Sequence, residues 1–175
     1  ARNKLLDYSS NHMECTDCAE GTFSNDPFAY LCMRCEDKIA GCSKCVAVGE
    51  ELGAEVQCTT CQGGYYLSDH ICKPCDAGSY CPSGCTSPIP CSAGYFCPAQ
   101  SSEQTPCDAG YYSAEEASAC TACDRGQYQP DQGKSQCLLC DAGTSSDKIG
   151  AISADVCKAC DDGYVASSGS SECTQ

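Results

Sequence analysis

Residues 107–123 read Cys-Asp-Ala-Gly-Tyr-Tyr-Ser-Ala-Glu-Glu-Ala-Ser-Ala-Cys-Thr-Ala-Cys, and the chain repeats this pattern with a period near 16 residues. A cysteine opens the unit, glycine follows three residues later and an aromatic residue at five. A polar stretch comes next, and a Cys-x-x-Cys closes one unit while opening another. Opening cysteines stand at Cys75, Cys91, Cys107, Cys123, Cys140 and Cys160, with glycine in register at Gly78, Gly94, Gly110, Gly126, Gly143 and Gly163. Gly21 and Gly64 hold the same place after Cys18 and Cys61. The aromatic position is Phe23, Tyr66, Tyr80, Phe96, Tyr112 and Tyr128, and only Ser145 and Val165 break it. Self-similarity at a fixed period marks a repeat architecture, in which one unit cannot bury a face alone and stacks on its neighbours.

Local chemistry gives each unit a shape. Asp76, Asp108, Asp124, Asp141 and Asp161 follow opening cysteines. The pattern predicts an Asx-turn, the Asp side chain accepting the backbone N–H two residues on and glycine taking the φ > 0 position. The Gly-x-Tyr segment is short and suited to a strand, with the ring expected over the adjoining disulfide. No stretch has helical periodicity.

Composition narrows the class. The 175 residues include 22 Cys and no Trp, while Leu, Ile, Val and Phe together supply only 20 positions. That lies well below the level of about one residue in five at which a chain builds a packed core, whereas a Cys content above about 8–10% signals a disulfide scaffold. An ordinary single-core enzyme is therefore excluded, and covalent links must replace burial. A formal charge of −14 repels nucleic acid and anionic membrane surfaces as partners. No apolar run is long enough to span a bilayer. Residue 1 is Ala and no signal-peptide pattern follows, so a secretory leader is expected upstream or already removed.

Eight Cys-x-x-Cys pairs occur, from Cys15/Cys18 to Cys157/Cys160. In a cytoplasmic protein such pairs read as zinc sites. Here the chain is acidic, His12 and His70 fall at no finger spacing, and six cysteines stand outside any pair, so disulfides are favoured. A thioredoxin-like role needs a Cys-x-x-Cys opening a helix after a strand, and no βαβ pattern surrounds any pair.

Spacing then suggests partners. In the regular units the closing cysteine stands about 13 residues after the opening one, pairing Cys107 with Cys120, Cys123 with Cys137, Cys140 with Cys157 and Cys160 with Cys173. Upstream the same logic gives Cys18–Cys32, Cys45–Cys58 and Cys61–Cys72, with Cys35–Cys42 at shorter range. Where Pro88 and Gln104 occupy the expected closing places, Cys81 and Cys97 stand six residues after Cys75 and Cys91 and are paired with them. Closing a loop of about 15 residues contributes about 3 kcal/mol in the chain-entropy picture. Two cysteines remain. Cys15 reads as the closing cysteine of a unit that opens before residue 1. Cys85 is left for a bridge between chains or over longer range, or for a different local pairing such as Cys75 with Cys85.

Residues 72–175, with Cys-x-x-Cys-Asp-x-Gly-x-Tyr repeated and the block from Cys75-Asp-Ala-Gly-Ser-Tyr-Cys-Pro to Pro90-Cys-Ser-Ala-Gly-Tyr-Phe-Cys-Pro98, resemble the ephrin-receptor-like cysteine-rich modules found in tandem in extracellular proteins. Residues 35–75, with Cys-x6-Cys-x-x-Cys and Cys-Thr-Thr-Cys-x-Gly-Gly-Tyr-Tyr-Leu, resemble a furin-like repeat and are similar to protist variant surface proteins and immobilisation antigens. The resemblance is specific for module type and weak for function, because such modules occur in receptors, adhesins, coats and filaments alike.

No catalytic constellation stands out, since His12 and His70 are isolated and oxidised cysteines cannot act as nucleophiles. One Asp per unit does not converge on a calcium ion. Asn3, Asn11 and Asn25 lack the N-glycosylation sequon, whereas Ser87, Ser101, Ser102, Thr105, Ser145 and Ser146 lie in Ser/Thr-rich loops suited to O-glycosylation. The expected organisation is the end of an upstream module at 1–17, a cysteine-rich module at 18–34, a furin-like region at 35–75, two modules with short Cys-Pro loops at 75–106 and four regular modules at 107–175. The expected fold is small and disulfide-rich, a linear array of short β-hairpins with little or no helix and no single hydrophobic core. The expected function is that of an extracellular, non-enzymatic structural segment of a surface coat, stalk or filament, with no cofactor. Its partners would be neighbouring modules of the same long chain, copies of itself, and glycans. The alternative is a ligand-binding receptor or adhesin ectodomain.

Overall fold

In this computed structural model the described residues are 33–48 and 55–175, together with the strand segments 4–7, 14–17 and 22–23. Among the described residues every sheet is a two-stranded antiparallel pair. Strand β1 (Lys4–Asp7) pairs with β2 (Glu14–Asp17), and β3 (Thr22–Phe23) with β4 (Met33–Arg34). The longest hairpin joins β5 (Cys42–Val48) to β6 (Glu55–Cys61), followed by β7 (Tyr65–Ser68) with β8 (Ile71–Pro74). Next come β9 (Ser79–Tyr80) with β10 (Ile89–Pro90), and β11 (Tyr95–Phe96) with β12 (Thr105–Pro106). The last three pairs are β13 (Tyr111–Tyr112) with β14 (Thr121–Ala122), β15 (Gln127–Tyr128) with β16 (Leu138–Leu139), and β17 (Thr144–Ser145) with β18 (Lys158–Ala159). Among the described residues helix is limited to two 3-10 turns, Cys35–Asp37 and Ala154–Val156. This is a small disulfide-rich fold. Isolated hairpins are marginal in water, so strands of two residues persist only where something else fixes their ends.

Cystine does this. Apart from Ala151, every buried apolar residue among those described is a cysteine, while Val46, Ile71, Leu139, Ile152 and Val165 are exposed. The chain divides into two compact units: Ala1–Cys75 with Cys81–Pro88, and Asp76–Tyr80 with Ile89–Gln175.

In the first unit, Cys35, Cys42, Cys45, Cys58, Cys61 and Cys72 form one buried cluster, with Ile39, Val56, Tyr65 and Leu67 packed on it. Here the structure corrects the spacing argument. Cys35 is bonded to Cys45 and Cys42 to Cys58, in place of Cys35–Cys42 and Cys45–Cys58. The cause is local geometry. Irregularities in the β5/β6 register fall between Cys42 and Lys44 and between Lys44 and Cys45, and Cys42 and Cys45 are both buried. A bulge of this kind re-aims side chains that strict alternation would place on opposite faces. The Cys35–Asp37 turn, closed by Ile39 N–H donating to Cys35 O at 2.9 Å, then brings the Cys35 Cα to 5.7 Å from that of Cys45. The two bonded loops interlock as a result. Cys18 and Cys32, paired by spacing, lie outside the described residues.

In the second unit each repeat before Cys160 is a turn, a two-residue strand, a polar loop and a returning two-residue strand, and the one opened by Cys160 has the single bridge Val165–Thr174 in their place. The returning strands Thr121–Ala122, Leu138–Leu139 and Lys158–Ala159 are the x-x of Cys-x-x-Cys. That spacing is therefore a strand length, with a cysteine at each end. The turn also departs from expectation. The N–H of Gly78 donates to Cys97 O at 2.8 Å, away from Asp76, and the turn is closed by its backbone, Ser79 N–H donating to Asp76 O at 3.2 Å. Gly78 has φ 91, and positive φ at the third residue of a turn with an ordinary second residue defines type II. Tyr111 N–H to Asp108 O, Gln127 N–H to Asp124 O, Thr144 N–H to Asp141 O and Tyr164 N–H to Asp161 O repeat the closure.

Candidate functional site: cystines and inter-module seams

Along the second unit the structure joins Cys91 to Cys97, Cys107 to Cys120, Cys123 to Cys137, Cys140 to Cys157 and Cys160 to Cys173. In the first it joins Cys61 to Cys72 and Cys75 to Cys81. The two cysteines of a Cys-x-x-Cys thus belong to different bonds, Cys120 reaching back to Cys107 and Cys123 forward to Cys137. Among the described residues no dithiol of the redox-active kind is assembled from them.

Between successive modules of the second unit the backbone makes a repeating set of contacts. The glycine after each opening cysteine donates its N–H to a carbonyl six residues into the next module: Gly94 to Ser113 O at 2.9 Å, Gly110 to Gln129 O at 2.7 Å and Gly126 to Ser146 O at 2.7 Å. The same glycine accepts from the next opening cysteine, Cys123 N–H reaching Gly110 O at 2.8 Å. The opening cysteine accepts in turn from a residue further into that module: Cys91 O from Glu116, Cys107 O from Gly133 and Cys123 O from Gly150, at 2.9, 2.8 and 2.7 Å. The donors Glu116, Gly133, Gly150 and Gly169 all have positive φ, and so do Gly84 and Gln100 at the matching places. This second left-handed position went unseen in the sequence because Gln100 and Glu116 occupy it twice. Its trace is the glycine at Gly84, Gly133, Gly150 and Gly169.

Gly78, Gly94, Gly110 and Gly126 also contact the module two further on. A Cβ at any of them would fall inside 3.0 Å of the carbonyl oxygen of Glu116, Gly133, Gly150 or Gly169 respectively, too close for any side chain. Glycine is needed there for the turn and also for this approach. The carbonyl-bearing residue six into the module is Cys97 in one repeat, a buried Ser113, Gln129 or Ser146 in three more, and a half-buried Ala166 in the last. These buried polar groups are satisfied: Ser113 Oγ donates to Tyr95 O at 2.7 Å, Gln129 Nε2 to Gln136 O at 2.8 Å, and Ser146 Oγ accepts from Lys148 N–H at 3.3 Å.

Other candidate residues are scattered. Cys85 is the free cysteine among the described residues; it is half-buried, and its thiol donates to Ser87 O at 2.7 Å. Cys15 falls in β2. Cys42, Cys58 and Cys72 have sulfurs within 4.8 Å of one another, with Cys58 and Cys72 3.3 Å apart, but each is bonded in a disulfide and offers no thiolate to a metal. Asp76, Asp108, Asp124, Asp141 and Asp161 are exposed, one to a module, and among the described residues no carboxylates gather into an ion site. His70 sits at φ 61 beside Asp69 at φ 52, the two-residue loop of the β7/β8 hairpin, and its carbonyl accepts from Cys58 N–H at 2.9 Å; His12 lies outside the described residues. Of the glycan candidates, Ser87, Ser102 and Thr105 are exposed and Ser101 is half-buried with its hydroxyl donating to Pro98 O. Ser146 is corrected: only 5% exposed, it has no room for a sugar. Ser145 is half-buried, its hydroxyl 3.3 Å from Cys173 Sγ.

A family model described as tyrosine-protein kinase ephrin type A/B receptor-like matches residues 110–157. That stretch contains the seams at Gly110 and Gly126 and the bond Cys123–Cys137. No curated protein matches the chain. A stretch of this module type, with disulfides along its length, points to an extracellular disulfide-rich domain, since such bonds persist in oxidising compartments. Among the described residues no helix is long and apolar enough to cross a membrane.

Proposed function

We propose that the chain is a non-enzymatic structural segment of an extracellular coat, stalk or filament, built of ephrin-receptor-like modules in tandem over residues 75–175, behind a furin-like region at 35–75 and cysteine-rich modules at 1–17 and 18–34. The observation that supports this reading best is the repetition of one set of backbone hydrogen bonds from module to module, because a surface used up in joining neighbours serves extension of an array. Cross-links in place of a core suit a chain that must persist outside the cell. Cys85, with a half-exposed free thiol, and Cys15 are where chains would bridge, and Ser87, Ser101, Ser102 and Thr105 are where O-glycans would sit.

The competing reading, a ligand-binding receptor or adhesin ectodomain, takes its support from the receptor named in the matching family. Assembly separates the two. Sedimentation and non-reducing electrophoresis of the purified chain should show higher-order species that form without ligand for a coat or filament. A chain that remains monomeric over a wide concentration range overturns the structural reading. Mass measured before and after removal of O-glycans tests the sugar assignment.

A further inference from the structure

The seam contacts leave one edge of the second unit open. Gly78, Gly94, Gly110 and Gly126 are buried, each under a carbonyl from two modules further on, whereas Gly143 and Gly163 are exposed, with nothing within 4 Å of a Cβ built on either. Three backbone groups of the module opened by Cys160 are open as well. The N–H of Gly163 corresponds to that of Gly143, which donates to Ala166 O at 2.8 Å; the carbonyl of Cys160 corresponds to that of Cys140, which accepts from Gly169 at 2.9 Å. The N–H of Ala166 corresponds to that of Gln129, which donates to Ala151 O at 2.9 Å. Among the described residues none of these three has a partner. Tyr164 and Val165 stand exposed between them at 42% and 65%. Unpaired backbone donors and acceptors beside apolar side chains are a template for another chain.

We propose that this edge, formed by Gly143, Cys160, Gly163 and Ala166, is a docking surface for one further module of the same repeat. The fit is specific. A single incoming module, placed as each module sits on its predecessor, would accept from Gly163 with the carbonyl six residues after its opening cysteine. It would donate to Cys160 O from its left-handed residue, accept from Ala166 N–H just beyond, and seat the carbonyl of that left-handed residue on Gly143. The partner is thus a disulfide-closed loop carrying Gly, or a residue that tolerates φ > 0, nine or ten positions after its opening cysteine. The inference goes beyond the proposed role, since the surface is the same in a coat protein or a receptor.

The test extends the full chain at Gln175 with a copy of residues 107–137 or, separately, of 123–157, segments whose four cysteines pair internally. A flexible Gly/Ser extension of equal length is the comparison, and amide hydrogen exchange at Gly163 and Ala166 is the readout. Either module extension should slow both amides at least about tenfold, toward the protection of Gly110 and Gly126, while the flexible extension leaves them unchanged. Gly143→Ala placed in the extended chain should abolish the gain. Unchanged exchange at Gly163 and Ala166 with both module copies overturns the proposal, and so does equal protection by the flexible extension, which would mean that any covering polypeptide suffices.

Discussion

One methyl group, added in turn at Gly126 and at Gly143, separates the two demands made on the repeat glycines. The positions are equivalent in the repeat and alike in backbone, with φ 75 and φ 84. Placing an L-residue in the left-handed region costs about 1–2 kcal/mol, and both alanine variants bear that cost. Only Gly126→Ala also drives a Cβ into Gly169 O, which forces the backbone of one module away from another. The hydrogen bonds nearest the collision are Gly126 N–H to Ser146 O at 2.7 Å and Cys140 N–H to Gly126 O at 2.8 Å. Losing both, at about 0.5–1.5 kcal/mol net each, takes the expected loss at Gly126→Ala to about 2–5 kcal/mol, against about 1–2 kcal/mol at Gly143→Ala. Because a repeat array opens locally, the assay is native-state hydrogen exchange with disulfides intact, read at Cys140 for the first variant and at Cys160, whose N–H donates to Gly143 O, for the second. Equal losses at the two positions would refute the claim that contact with the module two further on is what requires glycine at Gly126.

Other outcomes follow from the same geometry. Trypsin cutting after Arg34, Lys38 and Lys44 under non-reducing conditions should leave peptides 35–38 and 39–44 both attached to the fragment that begins at Cys45. Release of the two small peptides joined only to each other would restore the Cys35–Cys42 pairing. Alkylation of the unreduced chain should label Cys85, and Cys85→Ser should remove that label while leaving the exchange protection of Leu67, whose N–H donates to Cys85 O at 2.8 Å, in place; loss of that protection would show that the thiol holds the loop. Glu116→Gly, which puts the residue of Gly133, Gly150 and Gly169 at φ 59, should raise stability by up to about 1 kcal/mol in urea titration. A clear loss would mean that the Glu116 side chain contributes more than its backbone costs.

Much of the fold is legible from residue types alone, because Cys, Gly and Pro restrict backbone more than other residues do. Cys-x-x-Gly at a steady period reads directly as a turn, and a cysteine 13 or 14 residues on reads as its closure. What escapes the sequence is whatever depends on a neighbour. The irregularities around Lys44 leave no trace in composition, yet they decide which of Cys42 and Cys45 reaches Cys58. Asp76, Asp108, Asp124 and Asp141 at the heads of their turns suggest side-chain capping, but the glycine N–H each would cap is already donated to the next module. Gln100 and Glu116 conceal the second left-handed position, and the bond that holds Glu116 there, its N–H donating to Cys91 O of the preceding module, is not visible in the sequence.

The alternation of bonds at each Cys-x-x-Cys bears on how the molecule would transmit tension. Between Cys107 and Cys173, a pull along the chain can cross each disulfide directly, from Cys107 to Cys120, Cys123 to Cys137, Cys140 to Cys157 and Cys160 to Cys173. The loops between bonded cysteines are bypassed, and the load falls on the dipeptides Thr121-Ala122, Leu138-Leu139 and Lys158-Ala159. A free peptide lengthens by up to about 3.3–3.6 Å per residue when drawn out, so while the bonds hold only these short links can be drawn out. A protease that cuts a single loop in this stretch leaves its two ends covalently joined, and the load path unbroken.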